Sequence, residues 1–207
     1  MRGKRAILAG LVASAGLLAS GTIAGAASPW EHEDVFGQGL GGPTVAPGGA
    51  KILRTGDGVS ASVSMATPEP GSYAYPVGPT ASGVPGHPEA FSLWVFVFFN
   101  PEECDGDCDA PDVMTNPAVV AGAFNAAGHL VGGPSLTLTG HINPGTPTFG
   151  GAMAETVGQA LSQGFEIADA EIHVAVAPHG ALDPELLPAQ FTTPTGDPSF
   201  WWIALFQ

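Results

Sequence analysis

The sequence predicts an all-β protein, an antiparallel β-sandwich with at most one short helix. Three observations carry that prediction. Several short runs alternate apolar and polar residues, as a strand with one face in a core must. Thirty glycines and twenty prolines punctuate 207 residues, which favours many turns over long helices. Only one stretch shows helical spacing. Short strands separated by Gly/Pro turns are the pattern of a sandwich, with a jelly roll or open barrel as its near relatives.

The chain opens with an export signal. Arg2, Lys4 and Arg5 form a basic region, "AILAGLVASAGLLAS" an apolar one, and "AGAAS" places Ala24 and Ala26 in cleavage positions. Residues 1–27 are therefore read as a signal peptide, and the protein as secreted or extracellular with no membrane insertion after cleavage. Residues 28–50, with "FGQGLGGPTVAPGG", read as a loose Gly/Pro-rich arm with little to bury. Residues 51–207 remain as one sandwich domain.

Within that domain the elements follow in order. "GVSASVSMA" turns Val59, Ala61, Val63 and Met65 to one side and Ser60, Ser62 and Ser64 to the other. "TPEPGSYAYPVGPTASGVPGHPE" is a long surface connection. "FSLWVFVFF" is continuously apolar and reads as a central strand buried on both faces, ended by Asn100-Pro101. "AVVAGAFNAAGHLVGG" reads as a hairpin turning at Asn125 to Gly128. "SLTLTGHI" alternates, with Leu136, Leu138 and Gly140 on one face. "AMAETVGQALSQG" is the helix candidate, with Gly164 at its end. "EIADAEIHVAVAP" sets Ile172, Val174 and Val176 on one strand face, and "SFWWIALF" supplies a last strand.

Charge narrows the partners. Nineteen acidic residues face five basic ones, and three of those five leave with the signal. Lys51 and Arg54 stay. Such a surface repels nucleic acid and anionic membranes, and suits cations, a basic protein partner or the cell envelope.

The most distinctive stretch is "NPEECDGDCDAPD", residues 100–112, with six carboxylates and both cysteines. In an exported chain two cysteines pair most simply, and Cys104 and Cys108 are near enough for a disulfide-pinned turn. A redox role fits poorly: the spacing is not C-x-x-C, and anionic neighbours raise a thiol pKa. Asp105, Asp107 and Asp109 have the D-x-D-x-D spacing that opens a calcium loop, with Glu102, Glu103 or Asp112 able to complete a shell. The later EF-hand positions fail, since Ala110 stands where glycine belongs and Asn116 where glutamate belongs. Two readings stay open: a calcium loop of another kind, and a solvated acidic tip.

A second metal reading uses histidines. Glu171 and His173 share a strand face. If neighbouring strands bring up His129 and His141, the four residues make a copper or zinc site. Catalytic signatures are missing: there is no G-x-S-x-G elbow, H-E-x-x-H helix, phosphate loop or dinucleotide fingerprint.

"SLWVFVFFNPEEC", the acidic stretch after it, "AEIHVAVAPHG" and "QFTT" together resemble a group of exported bacterial proteins of unknown function. That group pairs an aromatic strand ending in an F-N-N-P-x-x-C type motif with a later A-E-[IV]-H strand and a following H-G. This chain has one Asn fewer in the first motif. The resemblance covers the chain from about Gly56 onward. It implies an exported, β-rich domain and brings no catalytic residue. "GHLVGGPSLTLTGHI" is also distantly similar to exported superoxide-dismutase-like β-sandwich modules. Taken together, the sequence points to a secreted acidic binding or envelope-associated module, with a histidine-based metalloprotein as the alternative.

Overall fold

A computed structural model describes residues 29–207. The signal-peptide reading of residues 1–27 lies outside them. The fold is the antiparallel β-sandwich expected. Eight strands make one sheet: β1 (Glu31–Gly37), β2 (Thr44–Thr55), β3 (Gly58–Ala66), β6 (Glu89–Phe98), β7 (Ala121–Val131), β8 (Ser135–Ile142), β9 (Glu171–Ala181) and β10 (Trp202–Phe206). Their order is β7-β6-β9-β10-β1-β2-β3-β8, and every neighbouring pair is antiparallel. Two short strands, β4 (Val77–Gly78) and β5 (Ala81–Ser82), form a separate ribbon.

One face of all eight strands meets in a single core. Val35, Ile52, Val63, Phe91, Val95 and Phe124 belong to it, as do Leu138, Val174 and Phe206. The sheet is thus rolled over on itself, with β7 and β8 as its two end strands. Each fully buried aliphatic or aromatic side chain contributes roughly 1.5–3 kcal/mol against exposure. The alternation read in β3 and β8 is what fills this core: Val59, Ala61, Val63 and Met65 point in, as do Leu136, Leu138 and Ile142. Their outer faces zip together through Ser60–His141, Ser62–Thr139 and Ser64–Thr137 hydrogen bonds, each 3.0 Å.

β6 lies between β7 and β9 and is buried on both sides, as its unbroken apolar run requires. Phe91, Leu93, Val95 and Val97 face the common core. Trp94 faces the other way, against Ala175, Ala177, Trp201 and Ile203. This second, outer layer is covered by loops, and the candidate site forms there.

Two expectations are corrected. Residues 28–50 are not a loose arm, because β1 and most of β2 lie inside them and β1 sits between β10 and β2. Their glycines serve a tight turn and a bulge instead. Gln38 and Gly39 take positive φ between the strands. At Gly42 an added Cβ would fall 1.6 Å from the Gly37 carbonyl oxygen. Gly48, also at positive φ, donates its N–H to Asp34 Oδ1 at 2.8 Å where the β1–β2 register slips. The sandwich therefore begins near Glu31. The hairpin expected at Asn125–Gly128 is also absent: β7 runs unbroken from Ala121 to Val131. Ala126 is an extra residue there, since Leu93 pairs with Ala127 and Trp94 with Asn125. A bulge absorbs one residue without reversing the chain.

The expected helix is α2 (Val157–Ser162), opened by a Thr156–Gln159 capping box and followed by Gly164 at φ 94°. Two further short helices were not foreseen: α1 (Ala110–Thr115) and α3 (Ala189–Thr192).

Candidate functional site

The acidic loop is a braced structure. Where β6 stops, the Asn100 side chain takes over the ladder: its Oδ1 accepts from Val120 N–H at 2.7 Å and its Nδ2 donates to Ala118 O at 2.8 Å. Residues 101–103 make one 3-10 turn, and Gly106 at φ 97° lets the chain reverse. Cys104 and Cys108 are joined by a disulfide across a Cα–Cα distance of 5.3 Å, as expected.

The aspartates do not converge on a common point. Asp109 caps α1 by accepting from Asp112 N–H at 3.0 Å. Asp112 answers by accepting from Asp109 N–H at 2.9 Å and from Asp105 N–H at 3.1 Å. Those backbone donors, Asp105 first, hold the Asp112 carboxyl below its ordinary pKa. Asp107 accepts from the Gln207 side chain at 2.8 Å. The calcium geometry read from Asp105, Asp107, Asp109 and Asp112 is therefore not assembled. The start of α1 uses the oxygens of Asp109 and Asp112, and Gln207 uses one of Asp107.

The loop is tied to the sheet from below. Glu171 Oε1 accepts from Cys108 N–H at 2.7 Å and lies 2.8 Å from His173 Nε2. All three residues are buried, and the His173 ring packs on Phe98 at 4.9 Å. The sequence paired Glu171 with His173 correctly. It did not foresee that their partner is the disulfide loop.

His129 and His141 do not join that pair. His129 sits opposite Phe91 on β6 and His173 opposite Phe96, five residues along the strand. Five residues of strand span about 16 Å. His141 is on the exposed outer face of β8, bonded to Ser60. The copper or zinc cluster of His129, His141, Glu171 and His173 is accordingly not brought together. Among the described residues no group of three or more His, Cys, Asp or Glu side chains is placed to hold a metal ion.

Two buried polar networks escaped the sequence reading. Glu89, 2% exposed at the start of β6, accepts from the hydroxyls of Tyr73 and Tyr75 and from Gly86 N–H. The two rings stack at 4.5 Å, and burial followed by the Glu89 hydrogen bond drives the Tyr73 pKa strongly upward. The segment read as a plain surface connection thus plugs one end of β6. Ser92, His179 and Trp94 form the second network. Ser92 Oγ accepts from Trp94 Nε1 at 2.8 Å and meets His179 Nε2 at 2.7 Å, while His179 Nδ1 lies 3.2 Å from Thr80 O. A donor at Trp94 and an acceptor at Thr80 assign the Nδ1–H tautomer, with Ser92 donating to Nε2. The pair looks like a nucleophile and its base. Both residues are fully buried, however, and Ser92 is saturated by its neighbours, so the network serves packing. The signal for both was present: one serine and one glutamate in an otherwise apolar strand.

The outer layer over β6 leaves a groove. Its larger hollow, about 320 Å³, is floored by Phe96 and Ala123 and walled by Met114, Phe149, Met153 and Trp201. A smaller hollow of about 160 Å³ adjoins it and holds Tyr75, Pro178 and Phe200. Gly196 and Trp201 line both, so the two hollows are neighbours on one surface. Trp201 is fixed by its Nε1–H to Thr195 O at 3.2 Å and lies 6.2 Å from the Phe96 ring. Phe149 meets Trp94 edge-on at 5.9 Å. Around this rigid base, Met114 is 73% exposed, Phe149 56% and Phe200 48%. Such neighbouring exposed apolar side chains are a departure from ordinary surface.

The groove and the acidic loop share α1. Asp109 caps α1, Asp112 sits on it, and Ala110, Val113 and Met114 of α1 line the hollow. On the other wall Asp197 stands between Gly196 and Pro198. Its carboxyl accepts from Ser199 N–H at 2.9 Å, which lowers its pKa and keeps it ionised.

No protein-family model, no curated protein and no solved structure matches the chain. The class of protein therefore rests on the molecule itself: an acidic antiparallel β-sandwich with a disulfide-pinned loop beside an apolar groove.

Removing the disulfide tests how far the loop supports the domain. In the Cys104→Ser/Cys108→Ser variant stability is expected to fall by about 2 kcal/mol or less, the closure entropy of so small a ring. The sheet should keep its amide protection while residues 101–116 lose theirs in hydrogen exchange.

Proposed function

We propose that the protein is an exported acidic binding module with a cationic partner, a basic protein or a basic component of the cell envelope. The observation that carries this reading is the joint presentation of exposed Met114 and Phe149 with the carboxylates of Asp109 and Asp112, on and around one braced helix. Methionine and aromatic residues dominate the energetics of many binding surfaces, and complementary charge sets encounter rate and partner choice. The leader of residues 1–27 and the disulfide agree with an oxidising destination outside the cytoplasm. Among the described residues no helix is long and apolar enough to cross a membrane.

The test is binding of the purified exported protein to fluorescent peptides that differ only in charge. Cationic peptides should bind, and affinity should weaken as salt rises, because partly exposed charges are screened. Equal binding of cationic and anionic peptides, or binding of neither at low salt, would remove the reading. Adding calcium or a chelator should leave the melting temperature unchanged, since the carboxylates of Asp109 and Asp112 are already engaged by N–H donors.

A further inference from the structure

We infer that the two neighbouring hollows over Phe96 and Trp201 are the docking site for an extended segment of a partner protein that alternates basic and large apolar residues. This inference rests on the binding-module reading and names where and how the partner is held.

Shape gives the first argument. Two hollows of about 320 and 160 Å³ meet at Gly196 and Trp201. A compact ligand would fill one. A chain with apolar side chains spaced along it can place one in each, as recognition grooves for linear segments do. The base of the groove is pre-organised by the Trp201–Thr195 hydrogen bond and the Phe96, Trp94 and Phe149 ring contacts. Little ordering would be needed there on binding. The flexible element is Met114, whose unbranched thioether adapts to varied side chains.

Charge gives the second argument, and it selects among occupants. Both walls carry carboxylates next to lining residues: Asp109 and Asp112 beside Val113, and Asp197 beside Gly196. Neither of the two basic residues outside the leader lines the groove. Lys51 lies over the Trp30 ring at 5.0 Å, and Arg54 is bound to Glu31 at 3.0 Å and to the Ile167 carbonyl. A second copy would bring like-charged rims together, and an anionic bilayer or nucleic acid would be repelled in the same way. A basic segment is attracted, and its apolar residues can then desolvate Met114, Phe149 and Phe200. The hollow around Arg54, about 500 Å³, is a poorer candidate, because Glu166 shares it and Arg54 is already engaged.

The experiment uses the exported protein and three labelled twelve-residue peptides, read by fluorescence anisotropy. One alternates Arg with Leu or Trp, one replaces the apolar residues by Ser, and one replaces Arg by Glu. The Arg/apolar peptide should bind tightest. The Met114→Ser/Phe149→Ser variant should weaken it at least tenfold while leaving the Arg/Ser peptide unchanged. Met114 is largely exposed and Phe149 gives up one edge-on contact with Trp94, so the melting temperature should fall only slightly and folding can be checked separately. Asp197→Asn should weaken both cationic peptides. If the Arg/Ser peptide binds as well as the Arg/apolar one and the double variant binds both normally, the groove is not the site, although the charge-based reading stands. If no cationic peptide binds, both fall. A dimer in sedimentation that dissociates in the double variant, or binding to anionic vesicles that the variant loses, would overturn the inference in favour of those occupants.

Discussion

Gly140→Ala is expected to destabilise the protein by about 3 kcal/mol, a large loss for a single methyl group. Gly140 is in β8, where the rolled sheet brings its two end strands together. A Cβ there would stand 2.3 Å from the Ala126 carbonyl oxygen and 2.6 Å from its carbon. Those atoms are backbone, so no rotamer change relieves the clash. The end strands would have to part, and β7 carries Ala123 and, by register, holds β6 in place. The measurement is urea unfolding, with a lower midpoint and an unchanged slope. Gly56→Ala is the control. It lies in the β2–β3 turn with no atom within 4 Å of an added Cβ, and should change stability by only a few tenths of a kcal/mol. Equal stability of the Gly140 and Gly56 variants would mean that the seam is open.

Stability is expected to fall by about 2–3 kcal/mol between pH 7 and pH 4.5 because of one histidine. Burial pushes the His179 imidazole down from 6.5 to about 4, opposed only in part by its hydrogen bond to the Thr80 carbonyl. The native state thus holds the ring neutral where the unfolded chain takes up a proton. Unfolding binds protons in that window, so stability is fully present above about pH 6.5 and drains away as pH drops toward 4. Protonation would also destroy the acceptor at Nε2 on which Ser92 depends. Urea titrations across this range should show the slope, and His179→Gln should flatten it while lowering stability at neutral pH. Should that variant not fold, the proton resonances of His179 in the native protein still decide the matter. They should show a neutral ring at pH 5.5, and a ring half protonated near pH 6.5 contradicts the account. The carboxylates of Asp112 and Asp197 respond in a different window, below the ordinary carboxylate range, because N–H donors hold both pKa values down.

Strands whose side chains obey one strict pattern were legible from the residues alone. β3 and β8 alternate, and β6 is apolar apart from Glu89 and Ser92 because both of its faces are covered. β1 and β2 were not legible because local composition and tertiary pairing disagree. Gly48, Gly49 and Pro47 look like linker residues, yet the register with β1 and β3 turns them into a bulged strand. β7 was misread as a hairpin for a related reason. Asn125 to Gly128 has the residues of a turn, but the single extra residue at Ala126 is absorbed beside a fully buried partner strand. The disulfide and the Glu171–His173 pair could be read from spacing, since both are local. The groove could not. Phe96, Met114, Phe149 and Trp201 come from four distant parts of the chain, and only the outer layer over β6 brings them together. The residues read as metal ligands are likewise not grouped in the described structure. Matching residue types were present, but helix capping claimed Asp109 and Asp112, and strand register kept His129 from His173.

The most direct test of the central claim is a residue-resolved NMR titration of the purified protein with the Arg/apolar peptide. Amide shifts should change along one continuous patch: residues 94–98 of β6, 109–115 of α1, 148–153 and 194–201. They should be far smaller in the Met114→Ser/Phe149→Ser variant. Perturbations spread evenly over the acidic surface, or centred away from Phe96 and Trp201, would contradict a groove that binds.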